Sequence, residues 1–155
     1  MKGDQKVIEL LNKQLAGELT SIDQYFVDSR VYEDWGLTKL YEQFNHEMQD
    51  EQAHASALIS RILFLEGTPN VSTRLEITSA TNVADMLAND LKSEMDIAAH
   101  LKVAIAYCES VKDYDTREIL EVLLKDTEED HIFWLETQLG LIERVGIQNY
   151  LQSQM

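Results

Sequence analysis

The sequence predicts an all-α protein: a four-helix bundle with a long connection between the second and third helices and a short fifth helix at the C-terminus. Three observations favour this class. Apolar residues recur over four long segments with the period of an α-helix, about 3.6 residues. The 155 residues include one proline and six glycines, which suits long helices. One stretch, residues 68–81, has no helical pattern. A chain of this length is sufficient for a single domain over residues 1–155.

The first half of the chain predicts a helical hairpin. A first helix over residues 4–34 has apolar side chains along one stripe, and Gly36 supplies its natural stop. A second helix over residues 37–66 follows at once and ends at Gly67-Thr-Pro69. So short a connection makes the two helices antiparallel neighbours.

The second half predicts another hairpin, reached through the long connection. Fourteen extended residues span up to roughly 46 Å, about the length of a 30-residue helix. Residues 68–81 can therefore cross the whole bundle. Helices are predicted over residues 82–111 and 115–145, and a short one over residues 147–154. The last is too short to be stable alone, so we expect it to dock on another element.

The strong negative charge limits the possible partners. The formal net charge is −15 at pH 7, which speaks against nucleic acid or an anionic membrane surface as the partner. Cations remain as partners that the negative charge would favour. The alternative is that the acidic residues simply keep a helical protein soluble.

The compartment is predicted from the N-terminal residues and the cysteine content. The residues after Met1 do not form an uninterrupted apolar run, so we expect neither a signal peptide nor a membrane-spanning helix. Cys108 is the single cysteine and cannot form an intramolecular disulfide, which agrees with a reducing compartment. We predict a cytoplasmic protein.

A repeated pattern of acidic residues and histidines lies deep inside the predicted helices. In each half, a Glu and a His stand three residues apart, which places both side chains on one face of a helix. A single Glu precedes the pair by 33 residues in the first half and by 34 in the second. The two pairs are Glu51/His54 and Glu128/His131, and the single residues are Glu18 and Glu94.

These six residues predict a metal centre. All lie near the middle of a predicted helix, so a four-helix packing brings them to one level. Buried polar residues can also simply pair with one another. However, several ionised carboxylates in an apolar bundle repel, and each costs several kcal/mol to bury without compensation. Two divalent cations would balance four carboxylates, and two neutral imidazoles would complete the set. Such ligands suit iron or manganese, and the arrangement is that of di-iron carboxylate bundles.

At these residues the chain resembles the bacterioferritin branch of the ferritin-like family, and the resemblance covers nearly the whole chain. Beyond the six candidate ligands, it rests on several short segments. These are Met1-Lys-Gly-Asp4, Asp23-Gln-Tyr-Phe26, Trp35-Gly36-Leu37, His46-Glu47, Arg61-Ile-Leu-Phe-Leu-Glu-Gly67, Trp134-Leu-Glu136 and Gln148-Asn-Tyr-Leu-Gln152.

The resemblance implies an iron-storage protein with a ferroxidase centre. Fe²⁺ would be oxidised by O₂ or H₂O₂ at the six residues, with Glu51 and Glu128 as bridging carboxylates, and the mineral would be kept inside a hollow shell of 24 subunits. Tyr25 would be a nearby electron donor. His46 and Asp50, one helical turn apart, are similar to an inner-surface iron site of some members. For these last assignments, a solvated helix face is the alternative.

The sequence departs from the family pattern at two places. Bacterioferritins bind haem through a methionine two residues before the histidine of the second helix, and Gln52 stands there. We therefore expect no haem ligand from this subunit, as in a haem-free bacterial ferritin or the non-haem subunit of a mixed shell. The 34-residue spacing in the second half is one residue longer than the resemblance implies. A helix bulge or the connection between the third and fourth helices must absorb the extra residue, which leaves open whether Glu128 or Glu129 faces the metal.

Two other functions fit the same pattern. One is another di-iron or dimanganese protein, such as an oxygenase subunit, a peroxidase of the rubrerythrin type or a manganese catalase; the single cysteine excludes a version with a Cys-rich rubredoxin domain. The other is a structural subunit that binds iron poorly and assembles with an active partner. Oxidation of Fe²⁺ by the purified protein distinguishes these possibilities.

Overall fold

The computed structural model describes residues 1–155, and the predicted all-α bundle is confirmed. Four long helical regions are followed by a short terminal helix, and the fourth region is divided by a π-helical segment. The elements are α1 (Gln5–Asp34), α2 (Thr38–Phe64), α3 (Val83–Ser110), α4 (Tyr114–Asp126), the π-helical segment (Thr127–Ile132), α5 (Phe133–Val145) and α6 (Ile147–Gln154). No helix combines the length and hydropathy needed to cross a membrane.

Short polar side chains define where three of the helices begin. Asp4 accepts a hydrogen bond from the backbone N–H of Val7 at the start of α1. Asn82 and Asp113 cap α3 and α4 in the same way. Each cap satisfies a backbone donor that the first turn of a helix leaves unpaired. The turn after α1 contains Gly36 at φ 76°, a conformation that glycine adopts without steric cost.

The core consists of two apolar clusters at opposite ends of the bundle. One cluster is formed by residues such as Leu11, Leu58 and Leu101. The other contains aromatic residues, among them Tyr32 and Phe44. Along each of the first three helices, the chain passes from one cluster to the other, and the candidate glutamate lies between them. The polar residues therefore occupy a single layer in the middle of the bundle.

The connection between α2 and α3 runs along α1. Thr68 accepts a hydrogen bond from the side chain of Asn12, with 3.1 Å between Nδ2 and O. Further along, the backbone N–H of Leu75 donates to the hydroxyl of Thr20 at 2.8 Å. These contacts follow α1 for about two turns, as the predicted crossover requires.

The π-helical segment corrects the prediction of one regular helix over residues 115–145. It spans Thr127–Ile132, between α4 and α5. A π-helical turn holds one residue more than an α-helical turn and is therefore the usual way to accommodate an insertion in a helix. Of the two locations considered for the extra residue, the helix bulge is the one observed. This segment contains both Glu128 and His131, so it determines how the second half of the site is built.

Candidate metal centre

Five of the six predicted ligands meet in the polar layer between the two apolar clusters. Glu18, Glu51 and Glu94 are completely buried, and His54 and His131 are nearly so. They come from α1, α2, α3 and the π-helical segment. Several of their inward-facing atoms have no hydrogen-bond partner, including one oxygen (Oε2) of each of the three glutamates and Nδ1 of His54. Unpaired buried groups of this kind are costly, and a bound cation would satisfy them.

The first half of the centre is formed by Glu18, Glu51 and His54. The Nδ1 atom of His54 lies 3.7 Å from Oε2 of Glu18 and 3.6 Å from Oε2 of Glu51. One possible ligand atom from each residue lies within 4.8 Å of the others. Two carboxylate oxygens and one imidazole nitrogen thus face the same point, and such donors suit iron or manganese.

The second half is formed by Glu51, Glu94 and His131. The Nδ1 atom of His131 lies 2.8 Å from Oε1 of Glu51 and 3.5 Å from Oε1 of Glu94. Glu51 therefore contributes Oε2 to the first half and Oε1 to the second. The two imidazole rings stack with their centroids 5.8 Å apart. A carboxylate shared in this manner can bridge two metal ions.

Each histidine contacts a further carboxylate through its outer nitrogen. Nε2 of His54 lies 3.2 Å from Oδ2 of Asp126, and Nε2 of His131 lies 2.8 Å from Oε2 of Glu47. Carboxylates in this position fix the tautomer and ring orientation of metal-binding histidines. Neither was among the candidate site residues, although Glu47 interrupts the apolar side of its helix one turn before Glu51, and this position is a usable signal.

Glu128 is the predicted ligand that the structure does not bring into the centre. Its side chain is 44% exposed, and its Oε2 lies 3.2 Å from Nζ of Lys102 on α3. Residues three apart are separated by about 60° around an α-helix, whereas the wider π-helical turn increases this angle to roughly 110°. His131 therefore faces the core while Glu128 faces solvent. Glu129, the alternative, is also exposed.

The remaining predicted residues lie in two environments. Tyr25 is buried, and its hydroxyl donates a hydrogen bond to Oε1 of Glu94 at the edge of the centre. His46 and Asp50 lie together on the surface, with 3.4 Å between Nε2 and Oδ2. Asp50 also lies 3.7 Å from Nε2 of His131. Gln52 is exposed on α2.

Burial and mutual charge change the proton affinity of the centre. Burial, followed by the charge of Glu51, raises the pKa of Glu18 to about 8. Burial alone lowers the pKa of His54, but the adjacent Glu18 and Glu51 carboxylates raise it to about 11. The glutamates around His131 raise its pKa well above the usual value, although burial opposes them. Protons thus supply the positive charge that the carboxylates require in the metal-free protein.

The family profile described as a ferritin-like domain matches residues 8–145, and the chain belongs to this family, whose members store iron. A bacterial ferritin of Synechocystis sp. is 57% identical over 155 residues, which are 100% of this chain and 99% of that protein. A bacterial ferritin of Pseudomonas aeruginosa is 55% identical over the full length of both chains. A bacterioferritin of Brucella melitensis is 41% identical over 152 residues, 98% of this chain and 94% of that protein. The resemblance predicted from the sequence is confirmed, and family membership assigns the chain to iron storage.

Proposed function

We propose that this iron-storage protein is a ferroxidase that binds two Fe²⁺ ions between its helices. The observation that carries the proposal is the position of Glu51, whose two oxygens face the His54 half and the His131 half separately. Glu18 and Glu94 complete the two halves as terminal carboxylates. A shared carboxylate keeps two ions close enough to transfer their electrons to one oxidant molecule.

The proposed reaction moves one electron from each ion. Two Fe²⁺ and O₂ take up two protons and give two Fe³⁺ and H₂O₂, or two Fe²⁺ and H₂O₂ take up two protons and give two Fe³⁺ and two H₂O. Anionic oxygen ligands favour this direction because they stabilise Fe³⁺ over Fe²⁺. The buried carboxylates of Glu18, Glu51 and Glu94 provide such ligands.

We include Glu128 as the sixth ligand of the iron-loaded protein. The three buried carboxylates of Glu18, Glu51 and Glu94 balance only three of the four positive charges of two Fe²⁺ ions. Glu128 is held outside by an exposed ion pair with Lys102, and such pairs contribute only about 0–1 kcal/mol. The positive charge left on two bound ions would attract a further carboxylate, and the contact with Lys102 opposes the entry of Glu128 only weakly.

Two further roles extend the proposal. Tyr25 would donate an electron, supported by the contact of its hydroxyl with Glu94 and by edge contact of its ring with Phe44. His46 and Asp50 would bind iron at the inner surface, supported by the proximity of Asp50 to His131. A tyrosyl radical signal after oxidation, lost in Tyr25→Phe, tests the first role, and slower mineral growth in His46→Ala with unchanged initial oxidation tests the second.

The assembly is proposed to be a shell of 24 subunits whose native haem content is zero or comes from a partner subunit. Large apolar side chains such as Phe64, Val103 and Phe133 are at least half exposed, which is typical of surfaces that other subunits cover. On α2, Gln52 provides no haem ligand, and Met48 packs against the aromatic cluster. Size-exclusion mass and the visible spectrum of the native protein test both points.

Aerobic oxidation of Fe²⁺ tests the main proposal. The metal-free protein is mixed with two Fe²⁺ per subunit, and Fe³⁺ formation and O₂ consumption are followed in wild type, Glu18→Ala and His131→Ala. Glu143→Ala is the control, because Glu143 is an exposed glutamate near the end of α5, about three helical turns beyond His131. We expect rapid oxidation by wild type and the control and a large loss in the other two. A wild type that oxidises Fe²⁺ with neither O₂ nor H₂O₂ would show a structural shell subunit instead.

A further inference from the structure

A polar chain leads outward from the metal centre through α1 and α3. Gln14 lies one turn before Glu18 on α1 and is 2% exposed. Its side-chain Nε2 donates a hydrogen bond to Oε1 of Glu18 at 2.9 Å. Its Oε1 lies 2.6 Å from Nδ1 of His100 on α3. Three side chains from two helices are thus linked in a row that ends on a proposed ligand.

The chemistry of the three groups fixes the direction of the hydrogen bonds. A carboxylate that binds a metal can only accept, so the amide group of Gln14 must present its NH₂ to Glu18. Its carbonyl oxygen then faces His100, whose Nδ1 must carry the hydrogen. Burial and the charge of Lys13 lower the pKa of His100, which favours the neutral ring. His100 thereby prevents the amide of Gln14 from turning around.

The hydrogen bond from Gln14 also determines which oxygen of Glu18 is free to bind a metal ion. Oε1 is occupied by Gln14, whereas Oε2 has no hydrogen-bond partner and faces Nδ1 of His54 at 3.7 Å. We propose that Gln14, oriented by His100, is a positioning residue that directs Oε2 of Glu18 toward the metal ion of the first half. This inference rests on the proposed di-iron function and identifies residues outside the ligand set on which it depends.

The surroundings allow the pair to be altered without disturbing the core. Gln14 and His100 line a cavity of about 700 Å³ between α1, α3 and the connection after α2. A leucine at either position has similar size, loses only the polar atoms and borders existing space. Removal of a group that orients a metal ligand typically lowers metal affinity about 10- to 100-fold.

Cobalt titration of the assembled, metal-free protein provides the test. Co²⁺ is not oxidised under these conditions, and its visible absorption reports ligation directly. In wild type we expect two Co²⁺ per subunit. In Gln14→Leu we expect one of the two ions to bind about 10-fold more weakly, while the other binds as in wild type. His100→Leu should weaken the same ion, and His100→Asn, which keeps a side-chain N–H donor, should restore part of the affinity.

The double variant and a matched control separate positioning from general packing. Because His100 acts through Gln14, the double variant with leucine at both positions should bind Co²⁺ no more weakly than Gln14→Leu alone. Gln24→Leu is the control: Gln24 lies on the same helix and donates to the carboxylate of Asp28 four residues later, outside the centre. It should leave both cobalt affinities unchanged.

Each negative outcome has a distinct meaning. A wild type that binds fewer than two Co²⁺ per subunit overturns the proposed di-iron function. Two ions in wild type together with an unchanged titration of Gln14→Leu overturn only the positioning role. Losses that simply add in the double variant, or an equal loss in Gln24→Leu, also overturn it, because packing rather than the hydrogen bond would then account for the effect.

Discussion

The two halves of the metal centre start from the same Glu-x-x-His pattern and end with different geometries. In α2 the winding is regular, and Glu51 and His54 both face the centre. In the π-helical segment His131 faces the centre, but Glu128 is turned outward to Lys102. A Glu and a His three residues apart therefore share a helix face only where the backbone keeps regular α-helical winding.

The outer contacts of the two histidines, in contrast, have the same geometry although they do not share a sequence pattern. Both histidines use Nδ1 toward the centre and Nε2 toward an outer carboxylate, Asp126 for His54 and Glu47 for His131. These contacts come from different elements and no common sequence pattern predicts them. Orientation of the imidazole rings is therefore conserved between the halves more closely than the ligand set itself.

The largest expected effect comes from replacing the residue that the halves share. Glu51→Ala removes one oxygen from each half, so we expect both metal ions to be lost. The initial rate of Fe²⁺ oxidation should fall by about 100-fold or more, because loss of a residue that only orients a metal ligand already lowers activity by up to about 100-fold. Glu18→Ala and Glu94→Ala each affect one half and should retain one Co²⁺ per subunit. If Glu51→Ala still binds one ion tightly, the halves are independent and Glu51 does not bridge them.

The second prediction concerns the residue in which the halves differ. If Glu128 enters the centre as the second bridging carboxylate, Glu128→Ala should weaken the binding of both Co²⁺ ions by about 10-fold or more, because loss of a group that only orients a ligand already costs that much. Lys102→Ala, which only frees Glu128, should bind both ions as well as wild type or slightly better. Neighbouring exposed Glu129 gives the matched control Glu129→Ala. Equal affinities in all three variants would mean that Glu128 stays at the surface.

Much of this arrangement was predictable from the sequence, and the part that was not has a physical reason. Helix periodicity, a capping residue such as Asn82 and the central position of Glu18 follow from local patterns. The direction of Glu128 depends on π-helical winding, which the extra residue permits at more than one place. The contact between Gln14 and His100 joins residues 86 positions apart, so it depends on the packing of α1 against α3, which periodicity does not specify.

A smaller effect is expected at the hydroxyl that supports the second half. Tyr25 donates to Glu94 as Gln14 donates to Glu18. Burial and then the charge of Glu94 raise the pKa of Tyr25, so the phenol keeps the hydrogen that it donates. Tyr25→Phe should weaken the second-half Co²⁺ by a few-fold, in line with a net hydrogen-bond contribution of about 1 kcal/mol. Weakening of the first-half ion instead would show that the two halves are not supported separately.

The last prediction concerns the pH dependence of stability that arises from a second pair of buried carboxyl groups. Because no imidazole contacts this pair, it shows what burial alone does to a carboxyl group, for comparison with the two halves of the metal centre. Asp28 and Asp90 are 4% and 3% exposed. Burial raises the pKa of Asp28 from 3.8 to about 6, although hydrogen bonds that Asp28 accepts from Gln24 and from the protonated Asp90 oppose the shift. A carboxyl group whose pKa is higher in the folded state binds its proton more tightly there. Its stabilising contribution is therefore complete below about pH 4 and is lost as the pH rises through about 6.

Asp28→Asn should remove this pH dependence, because the amide stays neutral. When the pH is raised from 4.5 to 7.0, the melting temperature of the metal-free variant should rise by a few degrees relative to that of metal-free wild type, corresponding to about 1–2 kcal/mol in a chain of this size. Asp23→Asn, at an exposed site paired with Arg74, is the control and should show no such gain. A difference between Asp28→Asn and wild type that is the same at both pH values would mean that burial does not raise the pKa of Asp28 into this range. Carboxyl burial alone would then not explain why the metal centre retains protons, and that effect would belong to its two imidazoles.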